Sequence, residues 1–257
     1  MKYLVNFDRY KGLLWEFVLR DLKIKYRKSV LGYFWSLLNP LLMMIVLTAV
    51  FSNFFRFDIP NFPVYLLTGQ ILFSFFSEAT STSMNSIINS GSLIKKVYIP
   101  KYIFPISRVI SSFISLLFSL LAIIIVLVIT KVKISAMILF FPIPLLYVFL
   151  FSLGIGFILS VLAVFFRDML HLYTVILSAW MYLTPIFYPI SILPDYVKTI
   201  IHANPMYYFV KAFRDITLYN QFPDVQTNVM CMLFSLGSFV IGLAVFYKYQ
   251  HKFVLYV

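Results

Sequence analysis

Charge is scarce in this chain. Only 12% of its 257 residues are Asp, Glu, Lys or Arg, and 62% are hydrophobic, where soluble domains average about 25% and about 45–50%. A soluble fold of this length cannot hide that much apolar surface, so the surplus must face lipid. Acid is scarcer still: nine Asp and Glu are scattered along the chain, and the three histidines, His171, His202 and His251, fall in three different regions. No pair shows the spacing of a metal site or an acid–base pair, which argues against a membrane-embedded glycosyl- or lipid-transferase. The single cysteine, Cys231, lies in an apolar run. It excludes an intrachain disulfide and reads as a small buried hydrophobe. None of the eight glycines sits in a G-x-x-x-x-G-K-[S/T] run, so no phosphate-cradling loop is present. No ring of carbonyls or charges typical of a channel filter is visible either. Residues 1–33 are rich in charge and the first apolar run starts near Phe34, so no cleavable signal is expected ahead of the spans.

What is present is a series of apolar runs of ~20 residues, each long enough to cross about 30 Å of hydrocarbon. A spanning segment must satisfy its own backbone, as a helix or in a closed barrel. Barrel strands alternate apolar and polar residues, whereas Ile114–Ile129 is apolar on every face. The fold class is therefore all-α and polytopic, with six predicted spans at 34–55, 64–85, 104–130, 137–166, 170–189 and 229–247. All 257 residues are read as one membrane domain: 1–33 as a cytoplasmic amphipathic interface segment, 34–257 as the six-span part with an outer hairpin at about 190–214.

The net charge of +12 is distributed by topology. With both termini in the cytoplasm, fifteen Lys and Arg lie inside, eight of them before the first span and the others at Lys95, Lys96, Lys101, Arg108, Arg167, Lys248 and Lys252. Six lie outside: Arg56, Lys131, Lys133, Lys198, Lys211 and Arg214. That bias orients the spans by the positive-inside rule. It reads as contact with anionic lipids, with nucleic acid not expected as a partner.

Before the first span, Tyr10, Leu13, Leu14, Phe17 and Val18 recur at helical spacing while Arg9, Glu16, Arg20, Lys23 and Arg27 occupy other faces. This amphipathic helix should lie in the cytoplasmic interface with its apolar side in the acyl boundary. Its composition favours a membrane anchor over a surface pushed by a cytosolic partner. The second span is polar in its inner half, from Ser74 to Ser86, and carries Glu78. A carboxylate at that depth costs about 2.5–3.5 kcal/mol on insertion scales, so Glu78 should face a wet lumen or a polar helix neighbour, with the two readings equally balanced.

Asn89-Ser90-Gly91-Ser92 breaks and restarts a helix. The short stretch Leu93–Lys101 is basic and half apolar, and Pro100 disfavours helix at Ile99. Taken alone it fits a basic loop slightly better than a small cytoplasmic surface helix. Arg167-Asp168 after the fourth span is expected to pair internally or cap helices. Beyond the fifth span, Pro185, Pro189, Pro194 and Pro205 cut the apolar pattern into pieces too short to cross. A piece to about Ala203 and a second short helix through Arg214 suit a re-entrant or interfacial hairpin on the outer side, where irregular backbone borders a cavity. Most of the aromatics, 19% of the chain, are expected as interface anchors, with a minority available to stack on sugar rings.

The run Arg20-Asp21-Leu22-Lys23-Ile24-Lys25-Tyr26-Arg27-Lys28-Ser29-Val30-Leu31-Gly32-Tyr33-Phe34-Trp35-Ser36-Leu37-Leu38-Asn39-Pro40 closely resembles the approach to the first span in type-2 ABC permeases that export O-antigen, capsule or teichoic acid, the Wzm-like group. The resemblance continues at Leu93–Pro100, Phe165–Asp168, Tyr182–Pro189 and Asn204-Pro205, and so covers nearly the whole chain. It implies a homodimer in the bacterial inner membrane, docked to two copies of a separate ABC ATPase, that moves a lipid-linked polysaccharide. No cofactor is implied on this chain; ATP and Mg would bind the ATPase. The resemblance assigns ATPase coupling to Arg20, Asp21, Lys23 and Arg27 in the interface helix and to Leu93, Lys95, Lys96, Tyr98 and Pro100 in a coupling helix. It assigns an outer gate to Thr184, Pro185, Tyr188, Pro189, Asn204 and Pro205. Trp35, Glu78, Tyr182 and Phe187 are candidates for the substrate pathway, and no catalytic or metal residue is implied.

Overall fold

In the computed structural model, which describes residues 2–27, 29–54, 59–132 and 135–257, every regular element among the described residues is helical. Helix α1 (Lys2–Tyr26) leads into a 3-10 turn at Gly32–Phe34, where Gly32 takes a φ of +49° that other residues rarely adopt. There follow α2 (Trp35–Phe54), α3 (Phe62–Asn89), the short α4 (Gly91–Lys96) and α5 (Ile103–Ile129). After a 3-10 turn at Ala136–Phe140 come α6 (Pro142–Phe165), α7 (Met169–Leu183), α8 (Asp195–His202), α9 (Pro205–Thr217), α10 (Val225–Tyr249) and the terminal turn α11 (Phe253–Tyr256).

Four helical stretches, Gly32–Phe51, Ile103–Ile129, Ala136–Phe165 and Val225–Tyr256, are long and apolar enough to cross a membrane. Helix α3 is also long enough, about 42 Å at 1.5 Å per residue, but its Ser, Thr, Asn and Glu content keeps it out of the apolar class. Its polarity is tolerated because it is the central element, packed against α2, α5, α6, α7 and α9 and buried through most of its length. Helix α7 is shorter than the expected span 170–189. It stops at Leu183, about 22 Å long, because Thr184 turns to extended backbone ahead of Pro185. The expected span 137–166 likewise begins as a 3-10 turn, and its α-helix starts only at Pro142, whose ring suits the first helical turn.

The most extensive pairing joins α6 to α10, and small residues make it possible. A Cβ on Gly242 would strike the backbone of Gly154, and one on Gly154 would strike that of Ser238. Such close backbone approach supplies the dispersion that holds helices together where lipid offers no hydrophobic drive. Cys231 is fully buried in α10, in line with its reading as a small hydrophobe.

The two ends of the bundle gather different parts of the chain. At one end α1 lies along the start of α5, with Phe17 stacked on Phe104 at 5.5 Å, and Lys101 donates to the Gln250 carbonyl at 2.8 Å. Gly91 of α4 touches Val257 there. At the other end the Ser135 amide donates to Asn220 Oδ1 at 3.2 Å, and Phe140 meets Phe222 edge to face. Of the apolar stripe of α1, Phe17 and Val18 are buried against protein, as is Leu22 one turn on, while Tyr10, Leu13 and Leu14 are half-buried. Among the basic residues used to orient the spans, Lys28, Arg56 and Lys133 lie outside the described residues, as do the side chains of Lys2 and Arg9.

Candidate functional site

Three helices bring polar side chains to one cavity. On α3, Gln70, Ser74 and Glu78 follow at intervals of four and so share a face. On α5, Ser112, Ser115 and Ser119 share a face at intervals of three and four, and the first turns of α2 add Trp35, Ser36 and Asn39. Together with Lys25 from the end of α1 they enclose about 450 Å³. Lys25 Nζ lies 2.6 Å from Glu78 Oε1 and 3.5 Å from Ser115 Oγ. Ser112 donates to the same carboxylate oxygen at 3.3 Å, and Ser119 donates to the Ser36 carbonyl at 2.9 Å. The Lys25–Glu78 pair is about one-third exposed on each side, so it contributes about 0–1 kcal/mol to stability. Its effect is positional: it ties α1 to α3.

A second link ties α1 to α5. Asp21 is only 7% exposed at its side chain and meets Arg108 Nη1 at 2.6 Å and Arg20 Nη2 at 3.3 Å. Arg20 also stands over the Phe17 ring at 4.8 Å. On the outward face of α1, Glu16, Leu19, Arg20, Lys23, Ile24 and Arg27 form a shallow groove. Helix α4 anchors itself through buried Gly91 and Ile94 and presents Lys95 and Lys96 outward; Tyr98 just beyond is 90% exposed. Leu93 and Pro100 are half-buried.

At the opposite end of the bundle the proline-broken segment is held in a knot. Asn204 caps α9: its Oδ1 accepts from the Met206 amide at 3.0 Å and from Trp180 Nε1 at 2.8 Å. Its Nδ2 donates to the Leu183 carbonyl and to Thr184 Oγ1 at 3.2 and 3.0 Å. Pro205 follows at the first helical position, where a missing N–H does no harm. The Tyr65 hydroxyl faces the carbonyls of Pro185 and Tyr188 at 3.2 and 2.9 Å, and the Tyr188 hydroxyl donates to the Tyr182 carbonyl at 2.6 Å. At the centre lies Arg214, 5% exposed. Its guanidinium donates to the carbonyls of Tyr65, Pro185 and Ile186. Gly69 leaves room for it, since a Cβ there would come within 2.8 Å of Arg214 Nη2.

A family model described as ABC-2 type transporter matches residues 12–218. The chain belongs to the ABC-2 type transporter family. Membership makes it a transport subunit and not an enzyme. It is 30% identical over 257 residues to the O-antigen export system permease protein RfbA of Klebsiella pneumoniae, covering 98% of this chain and 97% of that one. The protein of the same description from Myxococcus xanthus is 30% identical over 85% of each chain. The polysialic acid transport protein KpsM of Escherichia coli is 26% identical over 89% of this chain and 90% of its own.

Against that background the expected site residues fall into three places. Trp35 and Glu78 share the polar cavity, whereas Tyr182 and Phe187 pack together at 6.4 Å with Phe187 stacked on Phe51. Phe51 lies sixteen residues beyond Trp35 on α2, about 24 Å along the helix, so the two pairs are far apart. Thr184, Pro185, Tyr188, Asn204 and Pro205 do meet in one knot, with Pro189 at its edge before the Ile190–Ile192 turn. Of the coupling residues, Arg20, Lys23, Arg27, Lys95, Lys96 and Tyr98 point outward, while Asp21 turns inward to Arg108. Arg167 and Asp168 are exposed; among the described residues no ion pair joins them, and Asp168 makes no side-chain cap bond. From the sequence no role is expected for Gln70 or for the serine row of α5, which the spacings 70/74/78 and 112/115/119 display. Arg214 is expected from the sequence as an outside charge at the end of the second short helix, not as the centre of a knot.

Proposed function

We propose that this chain is the membrane permease subunit of an ABC exporter that carries a lipid-linked polysaccharide, O-antigen in the first instance, across the bacterial inner membrane. One observation carries the reading: 98% of this chain aligns with the Klebsiella O-antigen export permease at 30% identity. Teichoic acid or capsule by the same mechanism is the second reading. The capsule part of it is favoured by the match to a capsule polysaccharide export inner-membrane protein, CtrC of Neisseria meningitidis, at 21% identity.

In this reading the whole chain is one membrane domain, and α2, α3, α5, α6, α7 with its proline-broken continuation, and α10 are the six crossings. The gathering of α1, α4 and the chain end at one pole, with the inside excess of Lys and Arg, supports cytoplasmic termini. Two copies pair, and each docks one ATPase, which alone binds ATP and Mg. The α1 groove at Arg20, Lys23 and Arg27 and the outward face of α4 at Lys95, Lys96 and Tyr98 receive the ATPase. Asp21–Arg108 and Lys25–Glu78 then pass displacement of α1 to α5 and α3 as rigid-body motion. The hairpin of α8 and α9 with Thr184, Pro185, Tyr188, Pro189, Asn204 and Pro205 forms the outer gate. Trp35, Glu78, Tyr182 and Phe187 border the pathway at two depths.

Depletion of the chain in its native cells tests this. Mass spectrometry should find lipid-linked glycan accumulating on the cytoplasmic side while surface polysaccharide falls. Undiminished surface polysaccharide would refute the assignment.

A further inference from the structure

The cavity between α1, α2, α3 and α5 holds a buried polar group without a partner, and its lining is polar but carries no net charge. Gln70 is 8% exposed and its Oε1 has no hydrogen-bond partner. It lies on the same α3 face as Ser74 and Glu78, and all three line the cavity. A buried amide oxygen without a donor carries a penalty of about 1–3 kcal/mol, which a ligand hydroxyl or a water would relieve. At about 450 Å³ the space falls within the range of small-ligand sites, about 300–1,000 Å³. Asn39, Ser74 and Trp35 are exposed at its mouth, so it is reachable from outside the bundle.

The lining offers acceptors. Besides the Gln70 amide, whose Oε1 is buried and must turn to reach a ligand, there is the Glu78 carboxylate, and the hydroxyls of Ser112, Ser115 and Ser119 already give their protons to Glu78 Oε1, the Ser111 carbonyl and the Ser36 carbonyl. Each serine oxygen keeps lone-pair capacity. Lys25 is the cation of the lining, and its ammonium is engaged with Glu78 at 2.6 Å, so the formal charge of the lining sums to zero. A phosphate entering here would meet a carboxylate and find its counter-charge already taken. A sugar ring has the opposite profile: hydroxyl donors for the acceptors, and an apolar C–H face for the Trp35 indole. We propose that this cavity binds a neutral sugar residue of the glycan cargo through its hydroxyls, and not the anionic linkage to the lipid. The proposal rests on the exporter reading above.

The test uses the purified complex of this chain with its ATPase in lipid nanodiscs. Neutral oligosaccharide released by mild acid from the cells' own polysaccharide is titrated against tryptophan fluorescence, with sodium pyrophosphate as the anionic probe. The wild-type complex should show a saturable change that disappears in Trp35→Phe and needs at least tenfold more oligosaccharide in Gln70→Met. Pyrophosphate should neither produce the change nor compete. If Gln70→Met fails to assemble, Ser74→Ala at the mouth replaces it, with a weakening of about threefold expected. No oligosaccharide response in the wild type, unaltered binding in the variant, or competition by pyrophosphate would overturn the proposal. Surface polysaccharide measured in parallel separates the two levels. Export intact in Gln70→Met but abolished on deletion of the chain removes the sugar site and leaves the exporter standing; export intact on deletion removes the exporter reading itself.

Discussion

The Arg214 guanidinium carbon lies 3.3 Å from the centre of the Tyr65 ring, and three backbone carbonyls, not a carboxylate, receive its N–H groups. Two of those carbonyls, Pro185 and Ile186, follow directly on the end of α7, where the helix dipole also favours a cation. One side chain thus joins α9, the first turn of α3 and the proline-broken segment. Because the fork geometry is what matches three carbonyls, Arg214→Lys is not conservative here. It should cost about 2–3 kcal/mol, since hydrogen bonds to a charged group contribute about 1.5–3 kcal/mol each. The thermal midpoint of detergent-extracted protein, followed by size-exclusion profile, reads this directly; an unchanged midpoint in Arg214→Lys would contradict the role.

Asp21 and Arg108 should couple energetically. Asp21→Asn leaves a half-buried Arg108 without its carboxylate, an expected loss of about 1–3 kcal/mol once partial solvent access is allowed for. A double-mutant cycle with Arg108→Gln isolates the pair, and a coupling energy near zero would show that α1 is held on α5 by its apolar face alone.

Glu78→Gln separates transport from stability. The Lys25–Glu78 pair is exposed enough that its loss should shift stability by less than about 1 kcal/mol. Export, measured as surface polysaccharide per cell, should fall several-fold because the cavity lining and the α1–α3 tie both change. Wild-type export would return Glu78 to a packing role.

Lys95→Glu with Lys96→Glu alters only outward side chains of α4, so folding should move by no more than about 0.5 kcal/mol. Recovery of the ATPase on affinity purification of the variant should drop at least fivefold. Full recovery would place the docking surface elsewhere.

These sites differ in how far sequence reveals them. The membrane helices are legible because an apolar run in lipid has one economical solution: α2 and α5 match their predicted spans within a residue, while α6 starts five residues late and α10 four residues early. The break after Leu183 and the pair α8–α9 are legible from Pro185, Pro189, Pro194 and Pro205, since each proline removes a donor and bars the preceding turn. Helix α1 is legible as amphipathic, yet its apolar stripe suits lipid and protein equally, and only the fold shows Phe17 against Phe104. Arg214 is hidden for a physical reason: a cation balanced by carbonyls leaves no oppositely charged residue in the sequence to announce it. Pairings such as Asp21 with Arg108 and Lys25 with Glu78 join distant segments, and no local spacing encodes them. Gln70 was within reach, because its interval of four from Ser74 and Glu78 marks a continuous polar face.

Reconstituted transport would show whether this chain, driven by its ATPase, moves a lipid-linked glycan. The chain and its ATPase are placed in proteoliposomes, lipid-linked glycan is supplied on the face that carries the ATPase, and arrival in the lumen is followed by protection from externally added glycosidase. Protection should appear only with ATP and Mg and be lost when the ATPase is omitted. ATP hydrolysis by the assembled complex without any protected glycan would contradict it.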